Sequence, residues 1–370
     1  MFSYANINRE YHVLVFNMAI ENFIDRMGEE EKNKMLSYVL EGGKLREVYS
    51  EVPRPKEGEI LVKMKAVGLC GTDVEKICGQ YTTTPYLGHE VSGVVVESRS
   101  REFREGDRVF PHVHTPCYDC EYCVKGSETM CPHYRSTNIY PGGFSEYFIV
   151  PEWNVRKGGV IRLPYDVSYE EGALIEPLST VVRGLTRVNI EPDYTVLIIG
   201  AGPIGLLHLM TVKAMGADVI VSNSRGFRLD YAKRLGANHV IPSDEHVPRV
   251  VREINDGKGA DLVIVASGSP SAITTGLKSV RRGGKVLLFA APYKGTKLDY
   301  DLAELFNREV SIVLSNSADD RDTRRALYLI RRRKVDVTKI VTQRYHLREF
   351  RKLLQDVKER KVIKAMVLGN

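Results

Sequence analysis

The chain has 370 residues, a length typical of two domains, and 43% of them are hydrophobic and 27% charged. This composition excludes a disordered chain, a collagen-like fibre and a coiled coil. The longest apolar stretch, 196–210, is too short and too rich in glycine to span a membrane. The net charge of +6, from 53 basic and 47 acidic residues, is weak evidence for nucleic-acid binding, so we expect neither nucleic acid nor a membrane as partner.

The N-terminal stretch, residues 1–34, differs from the rest of the chain. It has an apolar run at 13–20 but no basic start and no small-residue cleavage site, so we expect no signal peptide. The stretch is interpreted as an extension: a helical addition, a partner-binding arm or the product of an upstream start codon. Without an export signal we expect a cytoplasmic protein with reduced thiols, whose cysteine clusters are candidate metal sites.

Residues 38–150 consist of short strands separated by turns that contain glycine and proline. Residues 60–67 alternate at their end, and residues 91–97 are rich in β-branched side chains. This pattern predicts a β-rich, barrel-like domain, which we place at 35–177.

From about Leu178, short apolar strands alternate with helices. Strands of this kind are buried on both faces, which predicts a parallel, doubly wound sheet over 178–318. The predicted strands are 194–199, 219–222, 239–241, 262–266 and 285–289. The amphipathic tail, 319–370, includes a basic run at 331–334 that we interpret as a solvated helix face.

Four cysteines, Cys117, Cys120, Cys123 and Cys131, follow the spacing C-x2-C-x2-C-x7-C. Four thiolates in fifteen residues can enclose one tetrahedral Zn²⁺ and leave no open position, which predicts a structural zinc site. A disulfide pair and an iron–sulfur cluster are the alternatives. Cys78 has no partner at ligand spacing and is expected to be structural.

A second group of candidate ligands is spread along the chain: Cys70 after a strand, His89 and Glu90 about twenty residues later, and Glu176 near the predicted domain boundary. A thiolate, an imidazole and a carboxylate with one open position would form a catalytic zinc site, so we expect two zinc ions per chain. We expect packing or surface roles for two further histidines, His112 and His114.

A glycine-rich motif, Gly200-Ala-Gly202-Pro203-Ile204-Gly205, follows the strand that ends at Ile199 and precedes a helix. In this context the glycines permit a tight turn and a close approach of a pyrophosphate. The helix N-terminus then favours the negative charge. The motif therefore predicts a dinucleotide cofactor.

After the next strand, the chain has Asn223-Ser224-Arg225 where an NAD-binding protein usually has an acidic residue for the adenosine ribose. A carboxylate would repel a 2′-phosphate, whereas an arginine can pair with it. We therefore predict that NADP is preferred and that NAD is a possible cofactor.

Together these motifs resemble the zinc-dependent medium-chain alcohol/polyol dehydrogenase family over about residues 35–370. The motifs are Cys70-Gly-Thr-Asp, Gly88-His-Glu, Gly106-Asp-Arg-Val, the four cysteines, Glu176-Pro-Leu and Gly200-x-Gly-x-x-Gly. The resemblance implies an α/β protein with a GroES-like β-rich catalytic domain and a Rossmann coenzyme domain, doubly wound around a parallel sheet. It also implies that the chain returns to the catalytic domain at its end and that the protein is a homo-oligomer, a dimer or a tetramer.

The resemblance also implies roles for individual residues. Glu176 matches the carboxylate ligand of the sorbitol, threonine and glucose dehydrogenase branch, in which the equivalent of Glu90 replaces or assists a ligand during turnover. Thr72 matches the hydroxyl that relays the substrate proton, and Glu75 stands where many relatives have histidine. Asn316 resembles a cofactor-binding residue of archaeal glucose dehydrogenases.

The expected activity is reversible hydride transfer from a secondary or hemiacetal hydroxyl of a sugar or polyol to NAD(P). A threonine 3-dehydrogenase-like oxidation is the alternative within the enzymes. A non-catalytic zinc- and nucleotide-binding protein is the alternative outside them.

Overall fold

The computed structural model describes residues 34–79, 85–292, 295–298 and 300–370. The predicted extension at 1–34 lies outside the described residues, apart from Lys34. Contacts divide the chain into two units. Of the described residues, those up to Glu176 form the first unit together with Asp319–Leu327 and Val341–Asn370, and those within Pro177–Ala318 and Tyr328–Ile340 form the second unit.

The strands of the described residues, in chain order, are β1 (Met35–Glu41), β2 (Lys44–Ser50), β3 (Ile60–Gly68), β4 (Glu90–Ser98), β5 (Arg108–Pro111), β6 (Tyr147–Val150), β7 (Val160–Arg162), β8 (Thr195–Ile199), β9 (Asp218–Asn223), β10 (His239–Pro242), β11 (Ala260–Val265), β12 (Val280–Leu288), β13 (Ser311–Leu314), β14 (Val341–His346) and β15 (Lys364–Leu368). The α-helices are α1 (Gly71–Ile77), α2 (Glu121–Val124), α3 (Glu152–Arg156), α4 (Tyr169–Ala173), α5 (Ile175–Thr186), α6 (Pro203–Ala214), α7 (Gly226–Arg234), α8 (Val247–Ile254), α9 (Pro270–Ser279), α10 (Leu302–Asn307), α11 (Asp320–Arg331) and α12 (Phe350–Lys358). No helix in this part of the chain combines the length and the apolar character needed to cross a bilayer.

The first unit is built on a mainly antiparallel sheet with the order β14-β15-β3-β4-β5-β7, and β6 also pairs with β3. β3 pairs on both sides, with β15 and with β4, and this explains why most of its side chains are buried. Outside this sheet, β1 and β2 form a hairpin around Gly42 and Gly43. Both have positive φ angles, as a two-residue hairpin turn requires. The predicted β-rich region is confirmed.

The second unit is a parallel sheet with the order β10-β9-β8-β11-β12-β13. Numbered from β8, this is the 3-2-1-4-5-6 order of a doubly wound dinucleotide fold, in which ligands bind at the carboxyl ends of the strands where the order reverses. β8 and β11 are its central strands, and their apolar side chains are almost wholly buried. The predicted parallel, doubly wound sheet is confirmed.

The end of the chain contributes to both units. The sequence assigned all of 319–370 to the catalytic domain, whereas contacts place Tyr328–Ile340 in the second unit. The physical reason is that Val337 and Ile340 are buried, the segment that carries them packs against α6, and the Tyr231 hydroxyl donates to the Lys339 carbonyl. The other predicted boundaries remain predictions.

A histidine lies in the core of the second unit. His208 of α6 is fully buried, and its ring meets the edge of Phe289 at a centroid distance of 4.6 Å. Neither ring nitrogen has a hydrogen-bond partner among the described residues. Burial lowers the pKa of His208 from 6.5 to about 3, because the charged ring would lose its hydration.

We expect this residue to make the fold sensitive to acid. Below about pH 6.5 the unfolded chain binds a proton at His208 that the folded chain does not bind until about pH 3. The free energy of unfolding therefore falls as the pH is lowered. His208→Leu should remove this loss. From pH 7 to pH 5, the free energy of unfolding of the variant should therefore rise by about 2 kcal/mol relative to that of wild type. Urea unfolding at both pH values measures the difference. The exposed His239→Leu is the control, and equal behaviour of the two variants would contradict the prediction.

Candidate metal and cofactor sites

The four predicted structural ligands lie together in the first unit. The Sγ atom of Cys117 is 3.5 Å from that of Cys131 and 3.9 Å from that of Cys123, and the Cys120 and Cys123 sulfurs are 3.6 Å apart. Tyr134 packs against this group, which with the surrounding residues 117–134 we call the cysteine lobe.

The spacing of the sulfurs fits one tetrahedral ion. Zn–S bonds of about 2.3 Å require sulfurs about 3.8 Å apart, whereas a disulfide needs about 2.05 Å. All the cysteines are free, so the disulfide alternative is wrong in this structure. An iron–sulfur cluster would insert iron and sulfide between the thiolates and hold them farther apart. The donor set therefore fits zinc.

A second group of ligand atoms comes from Cys70, His89 and Glu90, which lie within 4.8 Å of one another. Cys70 directly precedes α1, and Glu90 is the first residue of β4. β3 and β4 are antiparallel neighbours that pair Gly68 with Glu90, so the end of β3 lies beside the start of β4. Strand pairing therefore brings together residues that are twenty positions apart in sequence.

Asp73, in the first turn of α1, organises the group and is fully buried. Its carboxylate accepts hydrogen bonds from the backbone N–H groups of Cys70 at 3.1 Å and Gly88 at 3.0 Å, and it faces Nδ1 of His89 at 3.5 Å. Such a contact on one ring nitrogen orients a histidine so that the other can bind a metal.

The electrostatics of this group favour a positive charge. Burial alone would lower the pKa of His89, but Asp73 and Cys70 outweigh burial and raise it well above its ordinary value. A site that attracts a proton so strongly also attracts a cation, and thiolate, imidazole and carboxylate are the donors that zinc prefers. The residues present therefore fit a catalytic zinc ion.

Glu90 is held by a buried ion pair. Its carboxylate contacts Lys364 of β15, and both side chains are at most 2% exposed. The Lys364 ammonium also donates to the Leu69 carbonyl at 2.9 Å. Gly68 makes room for the pair, because a Cβ at this position would collide with the Glu90 carboxylate and lie 3.0 Å from Lys364.

Glu176, the other predicted ligand, is the second residue of α5 and is 9% exposed. It is not part of the group that Cys70, His89 and Glu90 form within 4.8 Å. Burial raises the pKa of Glu176, Glu90 adds to the rise, and His89 opposes it. Glu90 is thus the carboxylate in the compact group, and Glu176 lies within electrostatic reach of it.

The predicted relay residues both belong to α1. Thr72 is half-buried two residues after Cys70, and Glu75 is exposed one turn later. Neighbouring protein atoms remove part of the solvation of Glu75 and raise its pKa. Burial and the charge of Glu75 also raise the pKa of Cys78 to about 11, so this thiol stays protonated, as a structural cysteine should.

The glycine-rich turn lies at the carboxyl end of β8. Gly200 has a φ of +109°, and a Cβ on Gly205 would collide with the Gly200 carbonyl oxygen, so both positions require glycine. Around Gly202 the nearest atom to an added Cβ is Nη1 of Arg228, at 3.7 Å. Pro203 and Ile204 begin α6. The turn thus leaves an open approach to a helix N-terminus, which fits a pyrophosphate.

The predicted ribose-side residues have different roles in the structure. The Asn223 side chain accepts from the Ala201 N–H at 3.1 Å and donates to the Arg225 carbonyl at 3.2 Å, so it ties the turn together rather than facing outward. Arg225 precedes α7, and Ser224 is exposed. Asn316, after β13, is exposed.

Two known protein families match separate parts of the chain. Residues 56–162 match the family described as alcohol dehydrogenase GroES-like domain, and residues 203–332 match the family described as zinc-binding dehydrogenase. The chain is 31% identical over 329 residues to the D-arabitol-phosphate dehydrogenase of Enterococcus avium, which covers 86% of this chain and 92% of that protein. The chain belongs to the zinc-dependent medium-chain alcohol/polyol dehydrogenase family. The predicted fold class and the predicted class of enzyme, an NAD(P)-dependent oxidoreductase, are confirmed.

Two further similarities agree with this assignment. The chain is 31% identical over 327 residues to the sorbitol dehydrogenase of Halalkalibacterium halodurans, covering 85% of this chain and 93% of that protein. A protein described as a zinc-binding dehydrogenase from Sinorhizobium meliloti 1021, bound to NADP, has a TM-score of 0.82 and 25% identity. The match covers 91% of this chain and all of that one. Zinc and a nicotinamide cofactor are thus the cofactors of this dehydrogenase.

The sequence analysis did not single out three residues that the structure places at these sites. Asp73 is part of the Cys70-Gly-Thr-Asp motif, so its place in the first helical turn was a usable signal. Arg228 has a weaker signal, because it lies three residues after Arg225, in the first helical turn of α7. Lys364 has no local signal, because it is almost three hundred residues from Cys70 in sequence.

We expect Gly68→Ala to disrupt the site. The added methyl would collide with the Glu90 carboxylate, and overpacking of this kind costs about 1–3 kcal/mol. The variant should lower the free energy of unfolding by that amount and lower the zinc content after dialysis. Gly71→Ala is the matched control, because no atom lies within 4 Å of the added Cβ. Equal effects of the two substitutions would contradict the role given to Gly68.

Proposed function

We propose that the protein reversibly transfers a hydride from a secondary or hemiacetal hydroxyl of a sugar or polyol to NAD(P). The convergence of Cys70, His89 and Glu90 on one point is the observation that carries this proposal. The names of the relatives, D-arabitol-phosphate dehydrogenase and sorbitol dehydrogenase, support a polyol as substrate. The threonine-like oxidation and the non-catalytic alternative have no comparable support.

Each residue of the catalytic group has a defined task in this proposal. Cys70, His89 and a carboxylate would hold a zinc ion, which supplies Lewis acidity toward the substrate hydroxyl. Asp73 fixes the orientation of His89. Glu90, which is paired with Lys364, would be the carboxylate ligand, and Glu176 would be the carboxylate that exchanges with it. Because Lys364 compensates the charge of Glu90, the site can accommodate a second carboxylate, Glu176.

Proton transfer is assigned to α1. Thr72 is near Cys70 and has a hydroxyl that can accept the substrate proton and pass it on. Glu75, one turn away and exposed, is a base that can deliver the proton to water. Its raised pKa brings it closer to the working pH, which favours a general base.

The second unit supplies the cofactor site. The turn at Gly200–Gly205 would hold the pyrophosphate, and the nicotinamide supplies the hydride acceptor. Arg225 and Arg228 provide positive charge near the adenosine ribose, and this supports a preference for NADP over NAD, with Ser224 as a further donor. Asn223 contributes by shaping the turn and by the absence of a negative charge.

The protein is proposed to be a cytoplasmic homo-oligomer, a dimer or a tetramer. Among the described residues, β13 is an edge strand of the parallel sheet. Leu314 on this strand is 63% exposed, and Leu302 and Phe306 of the preceding helix, α10, are 67% and 82% exposed. An unpaired edge beside exposed apolar side chains is a surface that proteins normally cover, here with a second copy. Light scattering measures the mass in solution, and a monomer would contradict this part of the proposal.

Turnover and metal content test the proposed activity together. Purified protein should contain about two zinc ions per chain and reduce NAD(P) with at least one member of a panel of sugars, polyols and polyol phosphates. Cys70→Ser should remove one zinc ion and abolish turnover, because it removes a ligand of the open site. Cys120→Ser should remove the other and mainly cost stability. Zinc-loaded protein that is inactive with every polyol, or active after loss of Cys70, would overturn the proposal.

Cofactor preference tests the ribose-side residues. We expect kcat/KM to be higher with NADP than with NAD. Replacing Arg225 or Arg228 by Met should lower the NADP value by about 10- to 100-fold, because a charge-assisted hydrogen bond is worth about 1.5–3 kcal/mol. The NAD value should change little. Arg234→Met, at the other end of α7, is the control. A wild type that prefers NAD would contradict the assignment.

A further inference from the structure

The segment Asp319–Arg321, which begins the return of the chain to the first unit, contacts the cysteine lobe about 190 to 200 residues earlier in sequence. The first contact involves Tyr118, which directly follows Cys117. Its hydroxyl donates to the Asp320 carboxylate, and the Asp320 N–H donates back to the same hydroxyl at 3.3 Å. The two residues are thus joined by a reciprocal pair of hydrogen bonds.

The second contact is at the other end of the lobe. Arg321 pairs with Glu128, a buried residue three positions before Cys131. The same guanidinium pairs with Asp319 at 2.9 Å, so its direction is fixed from the return segment. Asp319 in turn accepts the N–H groups of Arg321 and Asp322. The loop that carries the cysteines is therefore held near its first and its last ligand.

A third contact is made through His112. Its Nδ1 atom is 3.2 Å from the Asp320 carboxylate, and the residue is 1% exposed. The His112 ring lies 6.3 Å from the ring of Tyr134, three positions after Cys131, in an edge-to-face arrangement. Asp320 therefore contacts Tyr118, next to Cys117, and also His112, whose ring packs against Tyr134.

The contacts stabilise an unfavourable backbone conformation in the cysteine lobe. Tyr118 has a φ of +65°, a conformation that costs free energy for a residue other than glycine. Such a conformation persists only where the surroundings hold it. The bond to Asp320 thus holds the turn between Cys117 and Cys120.

We propose that Asp319–Arg321 acts as a clasp that keeps the cysteine lobe in its metal-binding conformation, so that retention of the lobe's metal depends on the return segment. The clasp slows metal loss because one cysteine must swing away before an ion can leave, and Tyr118 and Glu128 limit that movement at both ends. This inference rests on the structural zinc site of the proposed function.

The rate of metal loss tests the clasp. Protein loaded with Co²⁺ is mixed with excess EDTA, and the absorption of the four-thiolate Co²⁺ site is followed with time. Asp320→Asn should release the ion about 10-fold faster, because the amide has one acceptor oxygen where the carboxylate has two, and outer partners of metal sites have effects of this size. Tyr118→Phe and Arg321→Met should act in the same direction.

Arg344→Met is the matched control. Arg344 lies on β14, in the later part of the chain that belongs to the first unit, and pairs with Glu170 at 2.8 Å, away from the cysteine lobe. It should leave the release rate at the wild-type value. If Asp320 acts through Tyr118, the double variant Tyr118→Phe/Asp320→Asn should release metal no faster than the faster single variant. Thermal unfolding of each variant is measured alongside.

The outcomes separate the two proposals. Wild type without a four-thiolate Co²⁺ spectrum would overturn the structural metal site and the clasp with it. Normal loading with wild-type release rates in the clasp variants would overturn the clasp alone, as would equally fast release from Arg344→Met. Should Asp320→Asn fail to fold, Tyr118→Phe, which removes one hydroxyl group, decides the question.

Discussion

The buried charge balance at the end of β3 is the constraint on which the catalytic site depends. Two buried carboxylates, Asp73 and Glu90, lie beside Cys70, a partly buried and potentially anionic thiol, and buried charges require compensation. Lys364 supplies one compensating charge, and the Asp73 carboxylate accepts two backbone N–H groups and faces Nδ1 of His89. A divalent ion would supply the remaining positive charge, and for this reason the residues present fit a metal. Gly68 is part of the same constraint, because only a residue without a side chain leaves room for the ion pair.

The two candidate metal sites draw on different parts of the chain. The cysteine lobe takes its ligands from fifteen consecutive residues, so its donor set is local, and the return segment holds it from outside. The candidate catalytic group, Cys70, His89 and Glu90, comes instead from residues at the neighbouring ends of β3 and β4. A closed set of four ligands suits a structural ion, whereas a catalytic ion requires an open position.

In the glycine-rich turn, the contacts of Asn223 differ from the role that the sequence predicted for it. From the sequence, Asn223 was a candidate donor to a ribose phosphate. In the structure both ends of its amide are used within the turn, on Ala201 and Arg225. In the structure, Asn223 therefore shapes the turn and puts a neutral side chain at this position. Positive charge beside the turn comes from Arg228 of α7, whose Nη1 atom lies 3.7 Å from where a Cβ on Gly202 would be.

The sequence by itself determined the elements and the ligand types of this dehydrogenase. Apolar strands alternating with helices defined the parallel sheet, and the Cys-x2-Cys-x2-Cys spacing and the glycine-rich turn defined local chemistry, because each depends on residues a few positions apart. Only the tertiary structure decided which distant residues complete each site. Lys364 reaches Glu90 because β15 pairs with β3, and Asp320 reaches Tyr118 because the chain returns to the first unit. Pairings of this kind depend on strand order and on where the chain crosses back, and no local pattern encodes them.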